Sequence, residues 1–174
     1  LLRQAARNLI SSLNSEGYYG PIEPPDRMTE YHAGGMTNMI RGLIAYSEAT
    51  NDPLGITIAC QLADKYYLPR VDAFINFTDS NRWILSGDIG GVAAVNEAMA
   101  YLYMYTSNKA YLEFAKAVSE SWMGWDYCKA HAHVHSLEAV CRGLIILYLC
   151  LGDKRYLEAV SKAYQVLLRH QTEY

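Results

Sequence analysis

No apolar run in this chain approaches the roughly 20 residues that a bilayer crossing needs. The densest, Leu144 to Leu151, is short, so a soluble chain with no membrane partner is the expectation. A basic field is missing as well: the formal charge is -3, the pI lies near 5.9, and Lys and Arg fall singly along the sequence. A phosphate backbone would find little to hold, which sets nucleic acid aside as a partner. Cysteine is scarce. Cys60, Cys128, Cys141 and Cys150 show no CxxC spacing, and three of them sit in apolar helical pattern, where cysteine behaves as a small buried hydrophobe. The reduced, structural reading follows, with no cofactor expected. No GxSxG, Walker loop, HExxH or dinucleotide GxGxxG stands in a supporting context. An initiator Met is absent too, and Leu1 to Leu13 already reads as an amphipathic helix without a cleavable signal. The expectation is a piece of a longer protein whose compartment is not legible.

What the chain does have is repetition. Arg142-Gly143-Leu144-Ile145 moved back by about a hundred residues lands on Arg41-Gly42-Leu43-Ile44, and Tyr156-Leu157-Glu158 moved back by about forty-five lands on Tyr111-Leu112-Glu113. With 174 residues and 51% hydrophobic content, the chain can bury one core of domain size. Charged residues make up only 19%, below the roughly 25% usual for soluble domains, and 15 Tyr fill much of the difference. An apolar ring with a polar tip suits helix interfaces that border water or a sugar-lined cavity.

The repeat is a helical hairpin. An initial helix stops at Asn14-Ser15-Glu16-Gly17, and Pro21, Pro24 and Pro25 force a loop between Tyr18 and Thr29. The first hairpin runs from about Gly34 to Thr50 and on to about Tyr67, turned at Asn51-Asp52-Pro53. Leu68 to Ser86 reads as a long irregular connection with a brief extended piece at Val71 to Phe77. The second hairpin runs from about Gly91 to Trp122 and turns at Ser107-Asn108, and the third runs from about His133 to His170 and turns at Gly152-Asp153. Short turns between long helices make antiparallel neighbours, so the fold class is all-α: a single helical domain over residues 1–174, its hairpins arranged as part of an α/α toroid, (α/α)6-barrel-like. Small residues on each first helix, Gly42, Ala98 and Gly143, are expected to permit close helix contact.

Each hairpin is approached through a polar segment: YHAGG, SGDIGG or HAHVH. The offsets place His133 over Asp88 and His32, and His131 over Ser86 and Glu30. In a toroid the first helices line the inside, and their N-terminal ends open onto a common mouth. Such ends present unsatisfied N–H groups and partial positive charge, which keep imidazole neutral and able both to donate and to accept. With carboxylate acceptors and aromatic faces, that combination suits a polyhydroxylated sugar ring. The substrate-binding candidates are Tyr31, His32, Asp88, His131, His133, His135, Trp83 and Trp125. Glycoside hydrolysis needs two carboxyl groups about the scissile bond, for which Asp88 and Glu30 are the candidates, with Asp126 beside Trp122 and Trp125 as a third. The competing reading makes Asp88, Ser86 and Glu30 helix caps and lets the histidines bond loop carbonyls. HAHVH also invites a metal. As a helix it would set His131 and His135 on one face with Glu138 beyond, spread over roughly 10 Å and too far to converge on one ion. No metal is expected.

The segments HAGGMTNMIRGLIAYSEATND and RGLIILYLCLGDKRYLEAV resemble the hairpin modules of the six-hairpin glycosidases, nearest to the β-L-arabinofuranosidase family of glycoside hydrolases. The likeness spans most of the chain. It implies an (α/α)6 barrel with a carbohydrate bound at its mouth, and makes this chain the N-terminal half of a larger catalytic domain. It also implies a zinc-bound cysteine nucleophile with a nearby Glu, in a segment with adjacent cysteines. This sequence has no adjacent pair, so neither role carries over onto Cys60, Cys128, Cys141 or Cys150. A helical-repeat interaction module with structural histidines, and a sugar epimerase or lyase on the same scaffold, are the alternatives. Apolar helix edges left for further hairpins would favour self-association.

Overall fold

Turn chemistry sets the architecture. The computed structural model describes residues 2–15, 34–80, 84–85, 92, 94–124, 131–132 and 134–171. Its helices are α1 (Leu2–Ser12), α2 (Gly35–Thr50), α3 (Leu54–Leu62), α4 (Val71–Ser80), α5 (Val95–Thr106), α6 (Lys109–Met123), α7 (Val134–Leu151) and α8 (Lys154–Gln171). Two short strands, β1 (Ile84–Leu85) and β2 (His131–Ala132), pair with each other.

The three expected hairpins, α2 with α3, α5 with α6 and α7 with α8, close by one device. Asn51, Ser107 and Gly152 take left-handed conformations with φ of 53°, 58° and 69°. Each reverses the chain, and the next residue caps the following helix. The side chains of Asp52, Asn108 and Asp153 accept from the N–H groups of Leu54, Ala110 and Arg155 at 3.1, 3.0 and 3.0 Å. One otherwise orphaned donor is thereby satisfied at each helix start. These pairs recur at the same offsets as the sequence repeat, so that repeat is structural.

Helices α2, α5 and α7 stand side by side as an inner layer, with α5 between the other two, while α3, α6 and α8 pack back on their own partners. Centrality shows in burial: Val95, Asn96, Glu97, Ala98, Met99, Ala100 and Leu102 of α5 are all buried. Small side chains make this possible. A Cβ on Gly143 would lie 2.3 Å from the Asn96 side chain, and one on Gly55 would lie 2.1 Å from the Leu43 carbonyl oxygen. Gly42 differs from its expected role, because it is exposed and a Cβ there would meet nothing within 4 Å. Gly143 faces the preceding hairpin, whereas among the described residues no inner helix stands on the corresponding side of α2.

The connection after α3 also differs from expectation. Pro69 has no N–H to give the Lys65 carbonyl. The chain passes through a π turn (Ala63–Tyr67) and a 3-10 turn (Leu68–Arg70), and the Arg70 guanidinium donates to the Lys65 and Tyr66 carbonyls at 3.2 and 2.9 Å. Val71 to Phe77 is then helical, not extended. Its β-branched and aromatic residues fit strand alternation, but Phe74 and Thr78 are the fully buried positions, one helical turn apart. Packing of α4 on α6 decides the matter. Phe74 meets Phe114 at 5.7 Å between ring centroids and Tyr67 at 5.4 Å, in a cluster that also holds Tyr66. Burying each such ring stabilises the fold by about 1.5–3 kcal/mol.

Candidate functional site

The approach to each inner helix is where the polar sequence lies, and β1 and β2 fix part of that geometry. They pair in parallel, Ile84 with His131 and Leu85 with Ala132. Parallel strands need a crossover, supplied here by α5 and α6. In sequence β1 ends one residue before Ser86 and β2 one before His133, so the strands that precede these two positions lie side by side in one direction. Of the sequence candidates, Glu30, Tyr31, His32, Trp83, Ser86, Asp88, Trp125, Asp126 and His133 lie outside the described residues. His131 lies in β2 and His135 in the first turn of α7. HAHVH is thus neither all helix nor all strand, and the shared helical face considered for His131 and His135 does not form. Trp122 is fully buried in the core, which removes it as a stacking surface.

Below the approach segments the inner layer carries a charged row that residue-type reasoning missed. Glu97 of α5 is 1% exposed, yet it holds two cations. Arg142 of α7 donates its Nε–H to both Glu97 oxygens at 3.1 and 3.2 Å, and Arg41 of α2 brings its Nε within 3.3 Å of Oε1. A buried carboxylate without a partner would cost several kcal/mol, and two guanidinium groups offset that cost. The signal was in the repeat: the alignment that superposes Arg142-Gly143 on Arg41-Gly42 sets Glu97-Ala98 between them. Asn96, next in sequence, completes the seam by donating to Ser119 Oγ at 3.1 Å, while its own side-chain oxygen accepts from the Glu97 N–H at 2.8 Å.

Arg41 also heads a groove of about 240 Å³ lined by Ile44, Ala45, Glu48, Tyr101 and Tyr105. Tyr105 donates its hydroxyl to Glu48. One end of the groove is cationic, the other offers a carboxylate, and tyrosine side chains lie between.

Residues 11–173 match the family described as Beta-L-arabinofuranosidase, GH127 catalytic domain. The chain belongs to this family. No curated protein and no solved structure matches it. The match spans all three hairpins, and it makes the chain a carbohydrate-active domain of a glycoside hydrolase with an α/α-barrel type of fold. Among the described residues no helix is long and apolar enough to cross a membrane.

The zinc-thiolate site that membership in this GH127 family implies does not fit the described residues. Cys60 lies on α3 and Cys141 and Cys150 on α7, and no group of three His, Cys, Asp or Glu able to hold a metal occurs among them. Burial pushes all three thiols up, Cys141 to about 11, which disfavours the thiolate a zinc ion requires. Cys128 lies outside the described residues.

Proposed function

We propose that the glycoside is bound in a basin formed where the approach segments of the inner helices converge. Asp88 and Glu30 are its candidate carboxyl pair, and Tyr31, His32, Trp83, Trp125, His131, His133 and His135 are its hydrogen-bonding and stacking groups. The observation that carries this reading is the parallel pairing of Ile84–Leu85 with His131–Ala132. It sets the strand that leads in sequence into SGDIGG beside the first two residues of HAHVH, just before α7. Helix starts there supply unsatisfied donors and a positive field, suited to sugar hydroxyls and to charge developing on an oxygen.

The same reading makes the chain part of a larger toroid. The open side of the third hairpin is a groove of about 190 Å³ lined by Cys141, Val160, Tyr164 and Leu167, among others. Their repeat equivalents in the second hairpin are Asn96, Ala115, Ser119 and Trp122, all fully buried. At the opposite end Gly42 is open where its counterpart Gly143 is packed. The two free ends therefore resemble the two halves of one hairpin-to-hairpin interface, which a further hairpin of the same kind would fill.

Calorimetry of the full-length parent against arabinofuranosides and other glycosides tests the basin. Binding that falls at least about tenfold in His133→Ala and Asp88→Ala is expected. Unchanged affinity in both variants would remove the proposed site.

A further inference from the structure

The row formed by Arg41, Glu97 and Arg142 holds unused hydrogen-bonding capacity. Each arginine engages Glu97 through Nε, and among the described residues the terminal nitrogens of neither have another partner. Their side chains are 37% and 38% exposed, whereas the carboxylate between them is sealed. Three charges leave one net positive, set against a protein wall where an anion's attraction is screened less than in open water. Both Nε atoms lie within 3.3 Å of the same Glu97 oxygen, so the two guanidinium groups are near enough to share one small anion.

We propose that this row is a subsite for an acidic sugar residue. The sugar carboxylate lies across the free edges of Arg41 and Arg142, and the ring lies in the groove beside Tyr101 and Tyr105. Planar guanidinium groups match a carboxylate in bidentate geometry, and their attachment to Glu97 holds them in place before binding, which lowers the ordering cost. Glu48 stands two helical turns beyond Arg41, roughly 10 Å along α2. It is therefore placed to accept from ring hydroxyls without opposing the anion. A groove of about 240 Å³ is below the roughly 300–1,000 Å³ of drug-sized sites and suits one ring. This inference rests on the carbohydrate reading above and adds the chemical class of one bound residue.

The test is titration of the 174-residue chain with galacturonate, galactose and acetate at low ionic strength, followed by calorimetry and by amide chemical shifts. Galacturonate is expected to bind about tenfold or more tighter than galactose, and also tighter than acetate. Arg41→Lys keeps the charge on Glu97 but removes the planar fork. It should cut galacturonate affinity by about tenfold while leaving galactose and the folded spectrum unchanged. Equal affinities for galacturonate and galactose would overturn the clamp, and acetate binding as well as galacturonate would overturn the sugar class. If neither sugar binds while arabinofuranosides still bind the parent, the subsite falls and the basin stands. If no glycoside binds either protein, the carbohydrate reading falls with it.

Discussion

Gly42 and Gly143 occupy one repeat position, yet alanine there should act with opposite sign. At Gly42 the position is exposed and a Cβ meets nothing within 4 Å, so only helix propensity changes. Gly42→Ala should stabilise the chain by about 0.5–1 kcal/mol. At Gly143 the added carbon lies 2.3–2.4 Å from the Cγ, Nδ2 and Oδ1 atoms of Asn96. Asn96 cannot swing aside freely, because it is fully buried and bonded to Ser119, to the Val140 carbonyl at 3.4 Å and to the Glu97 N–H. Forced repacking costs about 1–3 kcal/mol, and a buried amide losing its partners costs about 1–3 kcal/mol more. After the propensity gain, Gly143→Ala should lose about 1–5 kcal/mol. Urea unfolding of both variants at equal m-value measures the difference. A neutral Gly143→Ala, or a Gly42→Ala destabilised by more than about 1 kcal/mol, would refute the packing argument. In the full-length parent the toroid proposal reverses the first result, since a hairpin seated on Gly42 would meet the new methyl group.

Two further outcomes follow from the hairpin turns and from the open edge. Asp52 is held below the usual carboxylate range by the Leu54 N–H and the Tyr46 hydroxyl, and Asp153 by the Arg155 side chain and N–H. Depressed folded-state values give stability that is complete above the unfolded value of about 4 and is lost as pH falls through the folded values, so Asp52→Asn and Asp153→Asn should flatten the acid limb of a Tm-against-pH curve below about pH 4; an unchanged limb would count against the caps. Leu149, Leu157, Tyr164 and Leu168 are exposed on the third hairpin at 67%, 43%, 56% and 40%. We propose self-association of the 174-residue chain through this edge, weakened by Tyr164→Glu with Leu168→Glu; strictly monomeric sedimentation velocity would contradict it.

Much of the scaffold was legible because its turns use residues with one strong preference. Asn51-Asp52, Ser107-Asn108 and Gly152-Asp153 announce reversals in any helical sequence, and a left-handed residue followed by a cap is what stands there. Helix α4 was not legible, since Val71, Phe74, Ile75 and Thr78 fit one helical face while Val71, Ala73, Ile75 and Phe77 fit one strand face; the contacts of Phe74 with Tyr67 and Phe114 separate the two. The proposed basin is read from a repeated position, and the β1–β2 pairing sets Ile84–Leu85 beside His131–Ala132, but pairing says nothing of which side chain does chemistry. The charged row escaped for another reason. Charges on an inner helix read as solvated when each helix is read alone, and their meaning lies in the neighbour.

That neighbour relation also favours the observed order of the hairpins. Had all three inner helices carried Arg at this position, each interface would have set like charges side by side across a buried seam. With Glu97 in the middle hairpin, the first and third each gain an ion pair only by flanking it, and α2 packed directly on α7 would oppose Arg41 to Arg142. Exchange of the central carboxylate for an arginine would therefore do more than remove two contacts, because it would set three like charges along one seam. Parallel pairing of β1 with β2 depends on α5 and α6 forming the crossover between them, so the row that helps seat α5 also bears on how Ile84–Leu85 meets His131–Ala132.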